Sequence, residues 1–340
     1  MTRVAILGCG ALGGVLAVRF SRRPDVDLTV INRNPFIAEA AERTGLVLHD
    51  RGRTAVARPR MVASAAAGAP GFDVIVLATK WSGLPEAARG LLPALAAGGV
   101  FVTLQNGLIA LDLAQALGPE RVVPACVLWG ASMVAPGEYV LTARGATIFG
   151  SLSENDGPAR AAAGLFSAST AVALSSNIEG TLWSKLAITA SFTSLGAITG
   201  LRFGALARDP RARRLILAIG REVGAVAAAR GVRLAPLGPV FPVPWLVAPA
   251  GRPGVLRSLM VLFVSWKNRR IESGMLAALR SGRPTEGEHI NGRIIALAAA
   301  TGTAVPCNRA VQDTVAELDA GTRSPGKEAF AALLDRLRSA

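Results

Sequence analysis

Lysine is almost absent from this chain. Of its 37 basic side chains only Lys80, Lys185, Lys267 and Lys327 are lysine, and the other 33 are arginine. Wherever a solvated positive charge suffices the sequence has arginine, so a lysine that remains can mark a place where an ammonium is needed. An ammonium on a flexible stem loses its proton readily when buried and can hand it to a substrate, which a guanidinium cannot. Lys80 lies in Ala78-Thr79-Lys80-Trp81 and Lys185 in Leu182-Trp183-Ser184-Lys185-Leu186, both motifs that read as chemistry. Lys267 and Lys327 stand in no such motif.

Other scarcities exclude whole classes. The three cysteines, Cys9, Cys126 and Cys307, are odd in number and far apart, without metal-ligand spacing. That argues against a zinc site or a disulfide framework and fits free thiols in a reducing cytoplasm. No metal is expected. The longest apolar stretch, 255–266, is interrupted by Arg257 and is too short to span a bilayer. An apolar strand starts at Val4, which leaves no room for a signal peptide before it. The net charge is +14, yet the arginines are scattered and no basic run carries interleaved aromatics. Such a field suits phosphate-bearing small molecules better than nucleic acid. A soluble cytoplasmic protein, with neither nucleic acid nor membrane as partner, is expected.

At 340 residues the chain is too long for one ordinary core, and its 51% hydrophobic content is that of a globular protein. The residues divide it into an N-terminal α/β domain over 1–176 and a helical domain over 177–340. Val4-Ala5-Ile6-Leu7 is the continuous apolar run that a buried parallel strand needs. It feeds straight into Gly8-Cys9-Gly10-Ala11-Leu12-Gly13, and an Ala/Leu/Val stretch with helical spacing follows. In this strand–glycines–helix setting Gly8 permits the tight turn, Gly10 lets the backbone approach a pyrophosphate, and Gly13 lets the helix pack on the strand. The helix N-terminus then offers N–H groups to the phosphates. A Rossmann dinucleotide-binding domain is predicted.

The second strand ends in Asn32-Arg33-Asn34. An NAD-binding fold usually has Asp or Glu there to hold the ribose 2′-hydroxyl. That acid is missing and a guanidinium, able to pair bidentately with a phosphate, stands beside its place. NADP(H) is the expected cofactor. Short strands are predicted over 46–62, and buried strands over 73–78 and 100–105, with further strand-like segments at 122–128 and 147–150. Lys80 and Asn106 fall just past two strand ends, where ligands of open α/β sheets bind. Asn106 also fits a plain Asn-Gly turn.

From residue 177 long Ala/Leu helices take over. Lys185, Thr189 and Thr193, at i, i+4 and i+8, share a helical face that suits the lining of a polar pocket. Threonines so placed also commonly back-bond to their own helix. In Arg283-Pro284-Thr285-Glu286-Gly287-Glu288-His289, Pro284 suits a first helical turn, which would put Glu286, His289 and Arg293 on one face. His289 fits either a structural role or the site; His49, the other histidine, reads as a surface residue. The Pro/Trp/Leu-rich segment 233–266, with Phe241-Pro-Val-Pro-Trp245, fits a lid, a homodimer contact or core packing.

Together these residues resemble the ketopantoate reductase (2-dehydropantoate 2-reductase) family, nearly end to end. The likeness rests on Gly8-Cys-Gly-Ala-Leu-Gly13, Arg33, Ala78-Thr-Lys80, Leu104-Gln-Asn-Gly107, Leu182-Trp-Ser-Lys185-Leu, Gly282-Arg-Pro-Thr-Glu286 and Ile290-Asn-Gly292. It implies a Rossmann domain, an all-helical C-terminal domain and a site in the cleft between them. The implied reaction is NADPH-dependent reduction of a small-molecule 2-oxo acid, the chemistry of pantothenate biosynthesis. By position, Lys185 would be the catalytic lysine and Glu286 would hold a substrate hydroxyl. Lys80 and Asn106 would contact cofactor and substrate. The chain departs from the family pattern at Thr189 and Thr193, usually asparagines, and at Gly274, usually a serine. Ser273 is one residue away and compensates only if the helix shifts. All these positions are associated with gripping substrate, so a bulkier ketone or imine is an alternative substrate. A non-catalytic NADP-sensing protein is another alternative, since fold alone does not establish activity.

Overall fold

Val4, Ala5 and Ile6 have no exposed surface in β1 (Thr2–Leu7), because both faces of that strand are covered. Val4 and Ile6 belong to one apolar layer and Ala5 to another. The computed structural model to which this strand belongs describes residues 1–64, 71–238, 242–248 and 254–339. The chain forms two units, Met1–Ile178 and Glu179–Ala340.

In the first unit, β1 leads to α1 (Ala11–Phe20), β2 (Val26–Ile31), α2 (Pro35–Arg43), β3 (Leu46–Asp50), β4 (Arg53–Ala57), β5 (Arg60–Val62) and β6 (Phe72–Leu77). Next come α3 (Leu84–Leu91), β7 (Leu95–Thr103), α4 (Ile109–Leu117), β8 (Val122–Val127), β9 (Gly130–Ala135), β10 (Glu138–Ala143), β11 (Ala146–Phe149), α5 (Gly157–Ser167) and β12 (Ala171–Leu174). The main sheet runs β12-β11-β8-β7-β6-β1-β2-β5, and only β8 and β11 pair antiparallel. Strand order reverses between β1 and β6, the switch point at which doubly wound sheets bind ligands. α3 and α4 cover one face through Leu84, Leu91, Ile109 and Leu113, against Ile75, Leu77 and Phe101. α1 covers the other through Val15, Leu16, Val18 and Phe20.

The outer side of α1 meets a second sheet, β4-β3-β10-β9, whose Leu46, Leu48 and Tyr139 join the same core. The strands over 46–62 agree with the sequence expectation, whereas β9 and β10 carried no clear signal. β9 is mostly exposed, so it lacks the apolar period that identifies a strand.

In the second unit α6 (Ile178–Ile188) passes into a π-helical turn, Thr189–Thr193, and then α7 (Ser194–Thr199). After these come α8 (Phe203–Leu206), α9 (Pro210–Ala229), α10 (Val243–Leu246), α11 (Gly254–Lys267) and α12 (Gly274–Arg280). A second π turn, Glu288–Gly292, opens α13 (Arg293–Thr301), followed by α14 (Pro306–Asp319) and α15 (Lys327–Ser339). Trp183, Leu186, Ile219, Val223, Ile290 and Val311 are among its buried residues.

One sequence expectation is corrected here. Pro284 is not in a first helical turn: residues 283–286 are irregular and the helix starts after them. The reason is an anchor, since the Thr285 backbone N–H and hydroxyl both donate to the Asp319 carboxylate, at 2.9 and 2.7 Å. Core packing accounts for only one side of the segment 233–266. Residues 239–241, Phe241 included, and 249–253 lie outside the described residues. Val243, Leu246, Val261 and Val264 are buried, but Leu256, Leu259, Phe263 and Trp266 of α11 face solvent while Arg257 and Ser265 point inward.

Candidate active site

The glycine-rich turn is tightly packed at Gly8 and Gly13 and open at Gly10. Gly8 has φ +94°, and a Cβ on it would come within 2.6 Å of Thr79 Cγ2. A Cβ on Gly13 would fall 2.1 Å from the Gly8 carbonyl oxygen. Gly10, the N-cap of α1, differs: a Cβ there meets nothing within 4 Å, and no side chain caps the helix. Ala11 and Leu12, the first helical residues, and Gly13 therefore offer the uncapped N–H groups of a first turn to an open space. An anion fits there, and the pyrophosphate of a dinucleotide is the anion this turn suits.

Tyr139, the chain's single tyrosine, braces that turn from the second sheet. Its hydroxyl donates to the Cys9 carbonyl at 2.8 Å and lies 3.2 Å from the Cys9 sulfur. Its ring covers Gly14 so closely that a Cβ on Gly14 would sit 2.0 Å from Cζ. Burial pushes the Cys9 thiol up to about 11, so the sulfur stays protonated at neutral pH. Nothing in the sequence pattern marked Tyr139.

Arg33 follows β2 directly and is exposed. Its neighbours fix the loop: Asn32 Nδ2 donates to the Asn34 carbonyl at 2.8 Å, and Asn34 Oδ1 caps α2 by accepting from the Phe36 N–H at 3.0 Å. Arg33 forms no ion pair among the described residues.

Lys80 and Asn106 lie beyond the carboxyl ends of β6 and β7, Lys80 exposed and Asn106 half-buried. Two side chains that sequence reasoning missed join their loops. Gln105 Nε2 donates to the Leu77 and Thr79 carbonyls at 2.9 and 2.8 Å, and Trp81 Nε1 donates to the Asn106 carbonyl at 3.0 Å. Both residues stood inside motifs quoted above, Ala78-Thr79-Lys80-Trp81 and Leu104-Gln-Asn-Gly107, but were given no role of their own.

In the second unit Lys185 is half-buried on α6, between the fully buried Ser184 and Leu186. Ser184 Oγ holds that helix to the Ala235 carbonyl at 2.5 Å. The π turn begins four residues after Lys185, so Thr193 does not continue a regular i, i+4, i+8 row. Thr189 has its hydroxyl on the Lys185 and Leu186 carbonyls, at 3.0 and 3.1 Å. Ser273 is the buried N-cap of α12; its hydroxyl donates to the Thr193 carbonyl at 2.6 Å and accepts from the Leu276 N–H at 3.3 Å. Both hydroxyls, read above as substrate contacts, are committed to backbone. Thr193 is half-buried.

Glu286 and His289 are half-buried. The Glu286 carbonyl accepts from the His289 and Ile290 N–H groups at 3.1 and 3.0 Å, just ahead of the second π turn. The two π turns touch: Asn291 Nδ2, in the second, donates to the Ala190 carbonyl, in the first, at 3.1 Å. That contact brings the Lys185–Thr193 and Glu286–Gly292 stretches of chain together. His49 is far removed in role, joining Thr54 and Glu138 in the second sheet at 3.1 and 2.8 Å. The three cysteines are free, and among the described residues no His/Cys/Asp/Glu cluster suits a metal ion.

Known proteins of this architecture resemble the chain in sequence. The profile of the ketopantoate reductase PanE/ApbA family matches residues 4–154, and that of the family's C-terminal region matches 177–319. The 2-dehydropantoate 2-reductase of Caulobacter vibrioides is 30% identical over 317 residues, covering 92% of this chain and 97% of its own. Among solved structures, the PanE/ApbA family ketopantoate reductase from Ralstonia eutropha JMP134 superposes with a TM-score of 0.79 at 26% identity, over 94% of this chain and 99% of that one. A D-mandelate dehydrogenase holding NADH and anilino(oxo)acetate has the same fold, with a TM-score of 0.80 at 20% identity over 95% of this chain and 100% of that one. The glycine turn built for a dinucleotide and these matches agree: the chain belongs to the ketopantoate reductase family of oxidoreductases, which act on a carbonyl/CH–OH group with a nicotinamide dinucleotide.

Proposed function

We propose that this protein is an NADPH-dependent reductase of 2-oxo acids, with ketopantoate among its substrates. The observation that carries this is the hydrogen bond between Asn291 and the Ala190 carbonyl, because it gathers the chain around Lys185, a lysine in an apolar helix, and the Glu286 stretch into one neighbourhood. The dinucleotide is held at Gly8, Cys9, Gly10, Ala11, Leu12 and Gly13, with Lys80 and Asn106 toward its reacting end. Arg33, exposed and without an ion pair among the described residues, takes the 2′-phosphate that distinguishes NADP from NAD.

Bound dihydronicotinamide supplies the hydride. The protein must orient the substrate carbonyl and neutralise the charge that develops on its oxygen. Lys185 performs both tasks: its ammonium donates a hydrogen bond to the carbonyl oxygen and then gives that oxygen a proton. Glu286 holds a substrate hydroxyl. Asn106, Thr193 and His289 complete the contacts to substrate.

A bulkier ketone or imine is the second candidate substrate. It is favoured by the backbone bonds that occupy the Thr189 hydroxyl and by the absence of any side chain at Gly274. A panel of 2-oxo acids, cyclic ketones and imines, scored by the oxidation of NADPH and of NADH, tests both proposals. Turnover of a 2-oxo acid with NADPH preferred supports the first; a preference for NADH overturns the cofactor assignment. Turnover confined to ketones or imines replaces the first substrate with the second.

A further inference from the structure

A π turn next to a reactive residue has to be held open. Its bonds run from i to i+5 instead of i to i+4, so carbonyls at its margins lose their regular partners. Buried carbonyls without a partner are costly, and other donors must reach them. Around Thr189–Thr193 side chains donate to a series of backbone carbonyls. Thr189 Oγ1 reaches the carbonyls of Lys185 and Leu186, and Ser191 Oγ reaches those of Ala187 and Ile188, at 2.7 and 3.2 Å. Ser273 Oγ reaches Thr193, and Asn291 Nδ2 reaches Ala190.

Asn291 differs from the other three in coming from the second π turn. Its amide is fully buried and its orientation is fixed by every neighbour. Oδ1 accepts from Ser194 Oγ at 2.6 Å, while Nδ2 also donates to Asn308 Oδ1 at 3.0 Å. Asn308, equally buried, is held in turn by Glu222, whose Oε2 accepts from Asn308 Nδ2 at 2.7 Å and from the Asn308 N–H at 2.8 Å. Glu222 Oε1 takes the Cys307 N–H at 2.8 Å, so the carboxylate caps α14 as well. The chain Ser194–Asn291–Asn308–Glu222 thus ties α7, the second π turn, α14 and α9 into one frame.

We infer that Asn291 is a positioning residue that locks the two π turns together and so sets how Lys185 and Glu286 are presented to substrate. Ala190 follows Lys185 by five positions, and Asn291 follows Glu286 by five. Without the lock the first π turn can relax toward a regular helix, which turns everything after Thr189 relative to Lys185. The inference rests on Lys185 being the proton donor of the proposed reaction.

The test is a double-mutant cycle of Asn291→Ala and Lys185→Ala on the full chain, with amide hydrogen exchange over residues 185–193 as a second readout. Asn291→Ala is expected to lower kcat roughly 10²-fold, the scale of a misplaced reacting group. NADPH affinity should hold, and exchange over 185–193 should quicken. In the Lys185→Ala background the same change should cost almost nothing, since it acts through the lysine. If the cost is equal in both backgrounds, or kcat and exchange are unchanged, the lock is not positional and the inference fails. If Lys185→Ala alone leaves kcat intact, the lysine assignment itself is what fails. Should Asn291→Ala not fold, Ser194→Ala removes one bond of the amide and keeps the other two; it should show the same coupling at smaller size, and additivity there also overturns the inference.

Discussion

On the proposed reading Lys185 and Arg33 divide the positive-charge chemistry between them, and substitutions should separate their duties. Lys185→Ala is predicted to leave NADPH affinity near normal while kcat falls by about 10²–10⁴, the usual contribution of a positioned acid. Lys185→Arg keeps the charge but cannot release a proton, so its kcat should stay close to that of the alanine variant. Fluorescence titration for binding and steady-state kinetics for turnover check the pair; near-normal turnover in either would point to another donor, His289 first. Arg33→Asp should weaken NADPH far more than NADH, because the new carboxylate repels a 2′-phosphate and suits a 2′-hydroxyl. A wild-type protein that binds NADH more tightly by titration would falsify the cofactor assignment. At this scale the sequence was informative where chemistry and scarcity coincide. A lone lysine in an apolar helix and glycines after a strand are visible without coordinates. Whether a hydroxyl faces a ligand or its own backbone is not, and Thr189 and Ser273 face backbone.

Among the elements, α1 carries the dinucleotide turn and is pressed between two sheets. Gly14→Ala would drive a methyl group into the Tyr139 ring, which is itself fully buried and hydrogen-bonded to Cys9. Overpacking of this kind typically costs about 1–3 kcal/mol. Chemical denaturation of Gly14→Ala should show a loss in that range, and a second change, Tyr139→Leu, should recover part of it. A stability equal to wild type would mean that the ring moves aside freely. The strands β1, β2, β6 and β7 were legible because each is an apolar run covered on both faces. β9 was not, being short and largely exposed, and neither were the π turns. One extra residue in a helical turn barely changes a hydrophobic period read over a dozen positions, so Lys185, Thr189 and Thr193 looked like one regular stripe. Pro284 misled for a different reason, since a long-range bond to Asp319 overrode a local helix-start preference.

Over the whole molecule, the +14 charge and the fold fit an anionic nucleotide and an anionic substrate, but neither selects which 2-oxo acid is reduced. On the proposed reading that selection falls to a few polar side chains. The family resemblance implies amides at the positions of Thr189 and Thr193 and a hydroxyl at that of Gly274. The Thr189 hydroxyl is spent on the helix backbone, so it has less to give a ligand. Each lost hydrogen bond to a neutral group typically costs about 0.5–1.5 kcal/mol. Three losses would lower kcat/KM for ketopantoate by roughly one to three orders of magnitude, since about 1.4 kcal/mol is tenfold. Ketopantoate should therefore be a secondary substrate, reduced less well than longer 2-oxo acids or cyclic ketones. Gly274→Ser offers the reverse experiment on the same protein. A Cβ at that position meets nothing within 4 Å, so the serine can be accommodated without displacing a neighbour. One regained bond should raise ketopantoate kcat/KM by up to about tenfold and leave a substrate without the matching hydroxyl unchanged. Steady-state kinetics of both proteins on both substrate types decide the matter. Wild-type ketopantoate turnover near 10⁵ M⁻¹s⁻¹, within roughly the ordinary enzyme range, with no gain from Gly274→Ser, would show that the threonines and Gly274 do not limit recognition.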